Sequence, residues 1–370
     1  MDTPPVPRLV LYLLICVLAG TLVFAAGTST ATFGAYNPQW DGTSDLREHV
    51  DNQVEGQIVV DTAAYEAENT TDTIGIILSP TTAYTPNESQ RLRNFVEQGG
   101  TLLIADDFGS YSNPLLESIG ADARFSGLQL RDEQQYYRGP TLPIASNVSE
   151  TTYTEGVTQL TLNGATAVVP GNATPVVTSS PVAYLDRNST GNFSPGDKLG
   201  AYPVVTIESI GTGQVIAVSD PSLFINSMLT QPDNEAFMTR LTETHSRVLL
   251  DYSKAAPLPP VARTLLLLRS SESIQVGAGL VTLSMWLMIR QRTQRRISLG
   301  VVFETLIPDT LLSAMPLWLR DLSVTHQPIE LNEETLRTVA LEKYPEISEP
   351  QLRQVITAVL SKRQRGEEDE

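Results

Sequence analysis

Cysteine is almost absent from the 370 residues: Cys16 stands alone, inside an apolar run. A single thiol excludes a disulfide framework within the chain and any zinc site built on cysteines. Ile15 precedes it where a lipidated cysteine needs a small residue. Histidine is scarce too. His49, His245 and His326 are scattered, and none falls in a His-x-Glu arrangement. Basic residues are outnumbered, 25 Lys and Arg against 42 Asp and Glu, for a formal net charge of -17. Nucleic-acid binding needs a basic footprint, and outside one short arginine run the chain has none. No internal repeat is visible.

What is present fits concentrated salt. Arg greatly exceeds Lys, and Asp, Glu and Thr are plentiful, the composition of a protein kept soluble in concentrated salt by a hydrated carboxylate surface. In such a medium the Debye length falls to about 3 Å, so crowded carboxylates repel one another little.

Two apolar runs stand out. Leu9 to Ala26 is uncharged and near the lower bound of the roughly 20 residues that span a bilayer. Its Val23-Phe24-Ala25 end also fits a signal-peptide cleavage site, and an uncleaved anchor is the expectation. Ile274 to Ile289 is shorter, but Arg290, Arg292, Arg295 and Arg296 follow it, and dense arginine holds that end in the cytoplasm. Trp286 sits where an interfacial aromatic is favoured. The expected layout is a cytoplasmic N-terminus (1–8), a transmembrane helix (9–26), an extracellular α/β domain (27–272), a second transmembrane helix (273–289) and a cytoplasmic helical tail (290–370). Asn-x-Ser/Thr glycosylation acceptors begin at Asn69, Asn87, Asn147, Asn172, Asn188 and Asn192, all between the two runs.

Within the outer domain, residues 27 to about 45 read as a polar stalk. Thr73 to Pro80 is a short apolar run between turn residues, a buried strand. Thr85-Pro86-Asn87-Glu88 then forms a capping box with proline at the first helical position. The helix carries Leu92, Phe95 and Val96 on one face, and Gly99-Gly100 ends it. The next strand is Thr101 to Asp106. This β-α-β unit implies a parallel pair with a right-handed crossover. A short helix near Asn113-Pro114 follows, then a β-rich stretch from Arg124 to about Pro181. Tyr202 to Glu208 and Gln214 to Val218 pair through Gly211-Thr212-Gly213. Ser219-Asp220-Pro221-Ser222 caps a helix, and Asp233-Asn234-Glu235 opens another, expected to run to about Tyr252.

The stretch from Ser79 to Gly120, SPTTAYTPNESQRLRNFVEQGGTLLIADDFGSYSNPLLESIG, followed by GTGQVIAVSDPSLFINSMLTQPDNEAF, resembles the domain-of-unknown-function family 4350 (DUF4350). The Gly-Gly-strand-Asp-Asp, Asp-Pro-Ser and Asp-Asn elements carry the likeness over roughly residues 30–250. The resemblance implies a parallel-sheet, glutamine-amidotransferase-like (flavodoxin-like) outer domain, also similar to GldG-type transport auxiliaries. It further implies a membrane complex with a MoxR-type ATPase and von Willebrand-like membrane proteins, an association rather than a mechanism. Amidotransferase chemistry needs a cysteine on a strand-to-helix turn and a histidine base. With Cys16 in the apolar run, that activity is excluded. No Gly-x-Ser-x-Gly elbow marks a serine hydrolase.

Two candidate sites remain. Ligands in open parallel sheets bind beyond the carboxyl ends of the strands. If the strands ending at Asp106 and Asp220 are neighbours, Asp106, Asp107, Ser110 and Asp220 share one crevice, with Asn113 and Asn226 near. The simpler reading makes Asp220 and Asn113 helix caps before Pro221 and Pro114. The second candidate is the loop from Asp186 to Asp197. Asp186, Asn188, Thr190 and Asp197 fall at positions 1, 3, 5 and 12, with Gly191 at 6 and Asn192 beside it, the spacing of a Ca²⁺ loop. A polar hairpin is the alternative. In the tail, Asn332 caps one helix, and Ser348-Glu349-Pro350-Gln351 opens another with Leu352, Val355, Ile356, Val359 and Leu360 on one face. That stripe meets a partner or packs on the tail itself.

No catalytic residue is assigned. The leading expectation is a non-catalytic binding or scaffold component of a membrane complex, in contact with the lipid bilayer and a protein partner. The alternatives are a sensor for a glycan or small polar ligand, and a hydrolase of surface polymers built on paired carboxylates.

Overall fold

The computed structural model describes residues 6–66, 70–270 and 272–293, and the chain divides into two units, Met1–Ala278 and Gly279–Glu370. The first unit begins with helix α1 (Val6–Gly27). Its α/β domain then opens on helix α2 (Ser44–Gln53), strand β1 (Glu55–Val59) and strand β2 (Thr73–Leu78). Thr85 starts helix α3 (Pro86–Glu97) with a reciprocal box. Its hydroxyl accepts from the Glu88 amide (3.4 Å) and the Glu88 carboxylate accepts from the Thr85 amide (2.7 Å). Gly99, at φ 106°, takes the left-handed turn out of α3 into strand β3 (Thr101–Ala105). Helix α4 (Ser112–Ile119) follows.

A β-rich insertion comes next. It pairs Arg124–Phe125 with Val168–Val169, Gln129–Arg131 with Tyr184–Asp186, and Ile144–Ala145 with Leu160–Thr161. It also lends strands β4 (Asn147–Val148) and β5 (Thr174–Thr178) to the main sheet. Strands β6 (Pro203–Ile210) and β7 (Gly213–Val218) form a hairpin turned at Gly211, φ 62°. A 3₁₀ turn (Pro221–Phe224), helix α5 (Asn226–Leu229), helix α6 (Asn234–Glu243) and strand β8 (Arg247–Asp251) complete the domain.

The eight strands lie in the order β1-β8-β2-β3-β7-β6-β5-β4. The first five run parallel and the last three antiparallel. In β2 and β3 every residue is buried, as expected of strands covered on both faces. On one face Ile76, Leu103, Ile216 and Leu250 pack with Leu46 of α2 and Phe237 and Leu241 of α6. On the other, Ile77, Leu102, Ile104 and Leu249 pack with Leu92 and Phe95 of α3 and Leu115 and Leu116 of α4. Helices on both faces leave the carboxyl edge of the parallel strands as the place where polar side chains converge.

Three expectations change. Residues 28–43 are no free stalk: Ala35, Asn37 and Thr43 are fully buried, and the Thr43 hydroxyl meets Tyr252 Oη at 2.7 Å. Polar, glycine-bearing sequence serves a tightly bonded loop as well as a tether. The final helix stops at Glu243, and Arg247–Asp251 forms β8 between β1 and β2. Val248, Leu249 and Leu250 point to both faces of the sheet and all are buried, which no single helical face allows. By length and composition α1 is long and apolar enough to cross a membrane. After helix α7 (Pro260–Ser270), helix α8 (Glu272–Thr293) forms over the second apolar run, but its apolar stretch Ile274–Met288 is shorter than the second crossing expected. Asn69 and the tail helices lie outside the described residues.

Candidate functional site at the carboxyl edge of the sheet

Strands β3 and β7 are neighbours, with Ala105 opposite Val218, so Asp106 and Asp220 emerge side by side. Both are fully buried. Asp106 Oδ1 accepts from the amides of Asp107 (2.9 Å) and Gly109 (3.2 Å) and faces the Ser79 hydroxyl at 3.4 Å. Its Oδ2 is buried with no hydrogen-bond partner among the described residues. Ser79 follows β2 at φ 41°, a left-handed backbone unusual for a residue with a β-carbon. Phe108, Ser110 and Tyr111 stand exposed on the loop that follows.

Asp220 works as the expected cap, though of a 3₁₀ turn: Oδ1 accepts from the Ser222 amide at 2.8 Å. Its other oxygen reaches across the fold to the amide of Asn163, at 2.5 Å. Burial pushes its carboxyl up to about 7, the Asn163 and Ser222 amides hold it down, and the Asp107 charge adds to the rise. Burial raises Asp107 too, with Asp106 beside it.

Asn113 and Asn226 stand apart from this edge. Asn113 lies inside α4 instead of capping it, donating to Phe125 O (2.9 Å) and accepting from Phe125 N (2.8 Å). One helical position further in, its amide serves the insertion better than the helix end. Asn226 accepts from Asp45 N at the start of α2 and donates to the carbonyls of Asn37 and Gln39.

A second polar group occupies the same edge two strands over from β3. The buried Asp251, at the end of β8, accepts from Tyr65 Oη (3.0 Å) and Ser253 N (2.7 Å), and burial raises its carboxyl. Burial likewise pushes the Tyr65 and Tyr84 hydroxyls up. Lys254 pairs with Glu88 at 2.8 Å over the Tyr84 ring. The sequence offered no signal for this group, because β8 reads as helix.

The Asp186–Asp197 loop closes on itself. Asp186 accepts from the amides of Thr190 (3.0 Å) and Gly191 (2.8 Å). Asp197 accepts from Arg187 N, Ser194 N and Ser194 Oγ. Asn188 donates to Ser194 Oγ and Pro195 O, and the Thr190 hydroxyl to Asn192 O. Both carboxylates are thus turned onto the loop's own N–H groups. Among the described residues no group of three or more His, Cys, Asp or Glu is arranged to hold a metal ion. Asn87, Asn147, Asn172, Asn188 and Asn192 are all exposed.

A family profile described as a domain of unknown function, DUF4350, matches residues 35–242. The chain belongs to this family. Among curated proteins none matches it. Among solved structures the chain is similar to the mmIFT52 N-terminal domain, at 16% identity and a TM-score of 0.43, covering 54% of this chain and 90% of that one. It is also similar to the exo-beta-1,4-mannosidase Op5Man5 from Opitutaceae bacterium strain TAV5 (17%, TM-score 0.28, 47% of this chain and 26% of that chain). A third is the beta-galactosidase from the Antarctic haloarchaeon Halorubrum lacusprofundi (14%, TM-score 0.27, 46% of this chain and 22% of that chain). The chain therefore spans about a quarter of either glycosidase, and at these scores none of the three bears on activity.

Two of the three elements by which DUF4350 is read in this sequence, Asp-Pro-Ser and Asp-Asn, have structural work in common. Asp233 accepts from Thr158 N (2.8 Å), Thr158 Oγ1 (2.6 Å) and Gln159 N (3.2 Å). Asn234 exchanges two hydrogen bonds with Thr161, and Asp220 takes the Asn163 amide. Three signature side chains thus grip one six-residue segment of the insertion, 158–163. The DUF4350 match ends before β8, so the fifth parallel strand and Asp251 fall outside it.

Proposed function

We propose that this protein is a membrane-anchored, non-catalytic binding component of a membrane complex, with its α/β domain on the outer side. One observation carries the reading. Asp220 and Asn234 of the signature end on backbone N–H and C=O groups, and both are fully buried. Catalytic groups must reach a substrate; these reach the insertion. What faces solvent is the loop after β3, where Phe108 and Tyr111 are exposed above an Asp106 that fixes the loop. Exposed aromatics on a rigid support are the residue types that anchor protein contacts. The hydrolase alternative needs two carboxyls facing an open cleft, whereas Asp106 and Asp220 face none.

Helix α1 supports an uncleaved anchor. The arginines from Arg290 onward support a short second crossing by α8, since short spans are accommodated by local thinning and by side chains reaching to the headgroups. The tail then reaches the cytoplasm and a MoxR-type ATPase. Five parallel strands between helical layers are compatible with an amidotransferase-like domain that lacks the nucleophile.

Crosslinked purification from native membranes at high salt tests the reading. A stoichiometric ATPase or membrane partner, lost on deleting residues 330–370, supports it. A protein recovered alone contradicts it.

A second reading, recognition of a glycan or small polar ligand at the Asp106 edge, is favoured by the unpartnered Oδ2 of Asp106. Binding that is abolished by Asp107→Ala without loss of folding supports this one.

A further inference from the structure

Helix α1 is uncovered along its apolar stretch, Val10–Gly27. It passes into the domain with no slack. Thr28 N still donates to Phe24 O, and the next residue, Ser29, donates to Tyr36 O at 2.9 Å. The loop 29–43 is knotted around Asp41. Its carbonyl accepts from Phe33 N (2.9 Å), and its carboxylate accepts from Thr32 Oγ1 and Asn37 Nδ2, each at 3.0 Å. Where the chain leaves the domain it returns to the same place. Ser29, residues 31–36, Tyr252 and residues 255–259 together line one cavity of about 10 Å³, and α7 starts at Pro260.

The two segments that meet at this pole carry little charge. The chain carries 42 acidic residues, yet residues 28–43 contain one charge, Asp41, and residues 255–262 contain none. Asp41 is spent on the loop's own hydrogen bonds. The residue before it, Trp40, is 65% exposed. An indole exposed on a charge-poor, tightly bonded loop that directly follows an apolar span has the chemistry of an interfacial aromatic, with an apolar body and one N–H donor.

We infer that this pole of the domain rests in the headgroup layer of the bilayer, with Trp40 inserted there as an anchor that fixes how the domain sits on the membrane. The occupant is the lipid surface, chosen because the patch is continuous with the span and its one carboxylate, Asp41, is taken up by hydrogen bonds within the loop. The inference rests on α1 being a retained anchor.

The test uses the full chain in phosphatidylcholine vesicles, with Trp286→Phe and Trp318→Phe leaving Trp40 as the sole indole. Lipids brominated near the headgroup should quench its emission and lipids brominated near the chain ends should not, while aqueous iodide should quench it less than in the denatured chain. If the double variant fails to insert, the difference between the unaltered chain and Trp40→Phe reads the same quenching. A chain that floats with the vesicles while Trp40 stays open to iodide and untouched by bromolipid overturns the inference alone. A chain that does not float overturns the anchor reading, and this inference with it.

Discussion

Asn234 and Thr161 are bonded to each other in both directions: Asn234 Oδ1 accepts from Thr161 N and Asn234 Nδ2 donates to Thr161 O, each at 2.9 Å. The side-chain amide thus stands in for a neighbouring strand, pairing with a backbone segment that has none on that side. A second Nδ2 hydrogen bond goes to Met228 O, and the whole arrangement is buried. Replacing Asn234 with alanine removes the side-chain partner of the buried Thr161 N–H and carbonyl, while Met228 O keeps the Gln231 amide. A loss of about 3 kcal/mol or more in unfolding free energy is expected from unmade buried hydrogen bonds, to be measured by denaturant titration. A loss within experimental error contradicts the role given to this residue.

Asp220 makes a prediction of opposite character. Its carboxyl is raised from 3.8 to about 7 in the fold. The folded state therefore favours its protonated form. Its contribution to stability is fully present below pH 4 and is lost as pH rises through 7, on the order of 4 kcal/mol in all. Asp107, also raised, acts in the same sense. Unfolding followed from pH 4 to 8 should show Asp220→Asn with a flatter decline than the unaltered chain. An identical slope contradicts the account.

His245 works the other way. Burial lowers its pKa, against a hydrogen bond to Leu241 O, and its ring also meets the Thr101 hydroxyl at 3.0 Å. A depressed folded value means that its stability contribution is present above 6.5 and lost as pH falls below it. The stability difference between His245→Gln and the unaltered chain should shrink between pH 7 and 5. A difference independent of pH contradicts this.

Gly109 is the residue that lets the loop close over Asp106. A β-carbon there stands 2.4 Å from Asp106 Oδ2 and 2.5 Å from Oδ1. The short, buried Asp106 side chain has nowhere to swing. Gly109→Ala should cost about 1–3 kcal/mol, as overpacking does, and should release the Phe108–Tyr111 loop to protease. Unchanged proteolysis contradicts the proposed rigid display.

Much of the frame was legible in the chain. The β2-α3-β3 unit announced itself through its capping box, its apolar runs and Gly99, because each signal is local. So was the Asp220 cap, carried by Asp-Pro-Ser. Strand β8 was not. A run of Val and two Leu is equally compatible with a helix, and only the gap between β1 and β2 decides it. Neither was the second bond of Asp220, to an amide 57 residues away in the chain, nor the grip of Asp233 on Thr158. A side chain that caps a local turn leaves a sequence trace; one that satisfies a distant amide leaves none. Ser79 illustrates the same limit: its φ of 41° accompanies a hydrogen bond from its amide to Ala105 O of β3, 26 residues on.

The central claim is that Asp220, Asp233 and Asn234 of the DUF4350 signature clamp residues 158–163. Amide hydrogen exchange on the full chain in detergent, comparing Asn234→Ala with the unaltered protein, tests it most directly. The account predicts protection lost at Thr158 to Asn163 while β2 and β3 keep theirs. Equal protection of 158–163 in both proteins contradicts it.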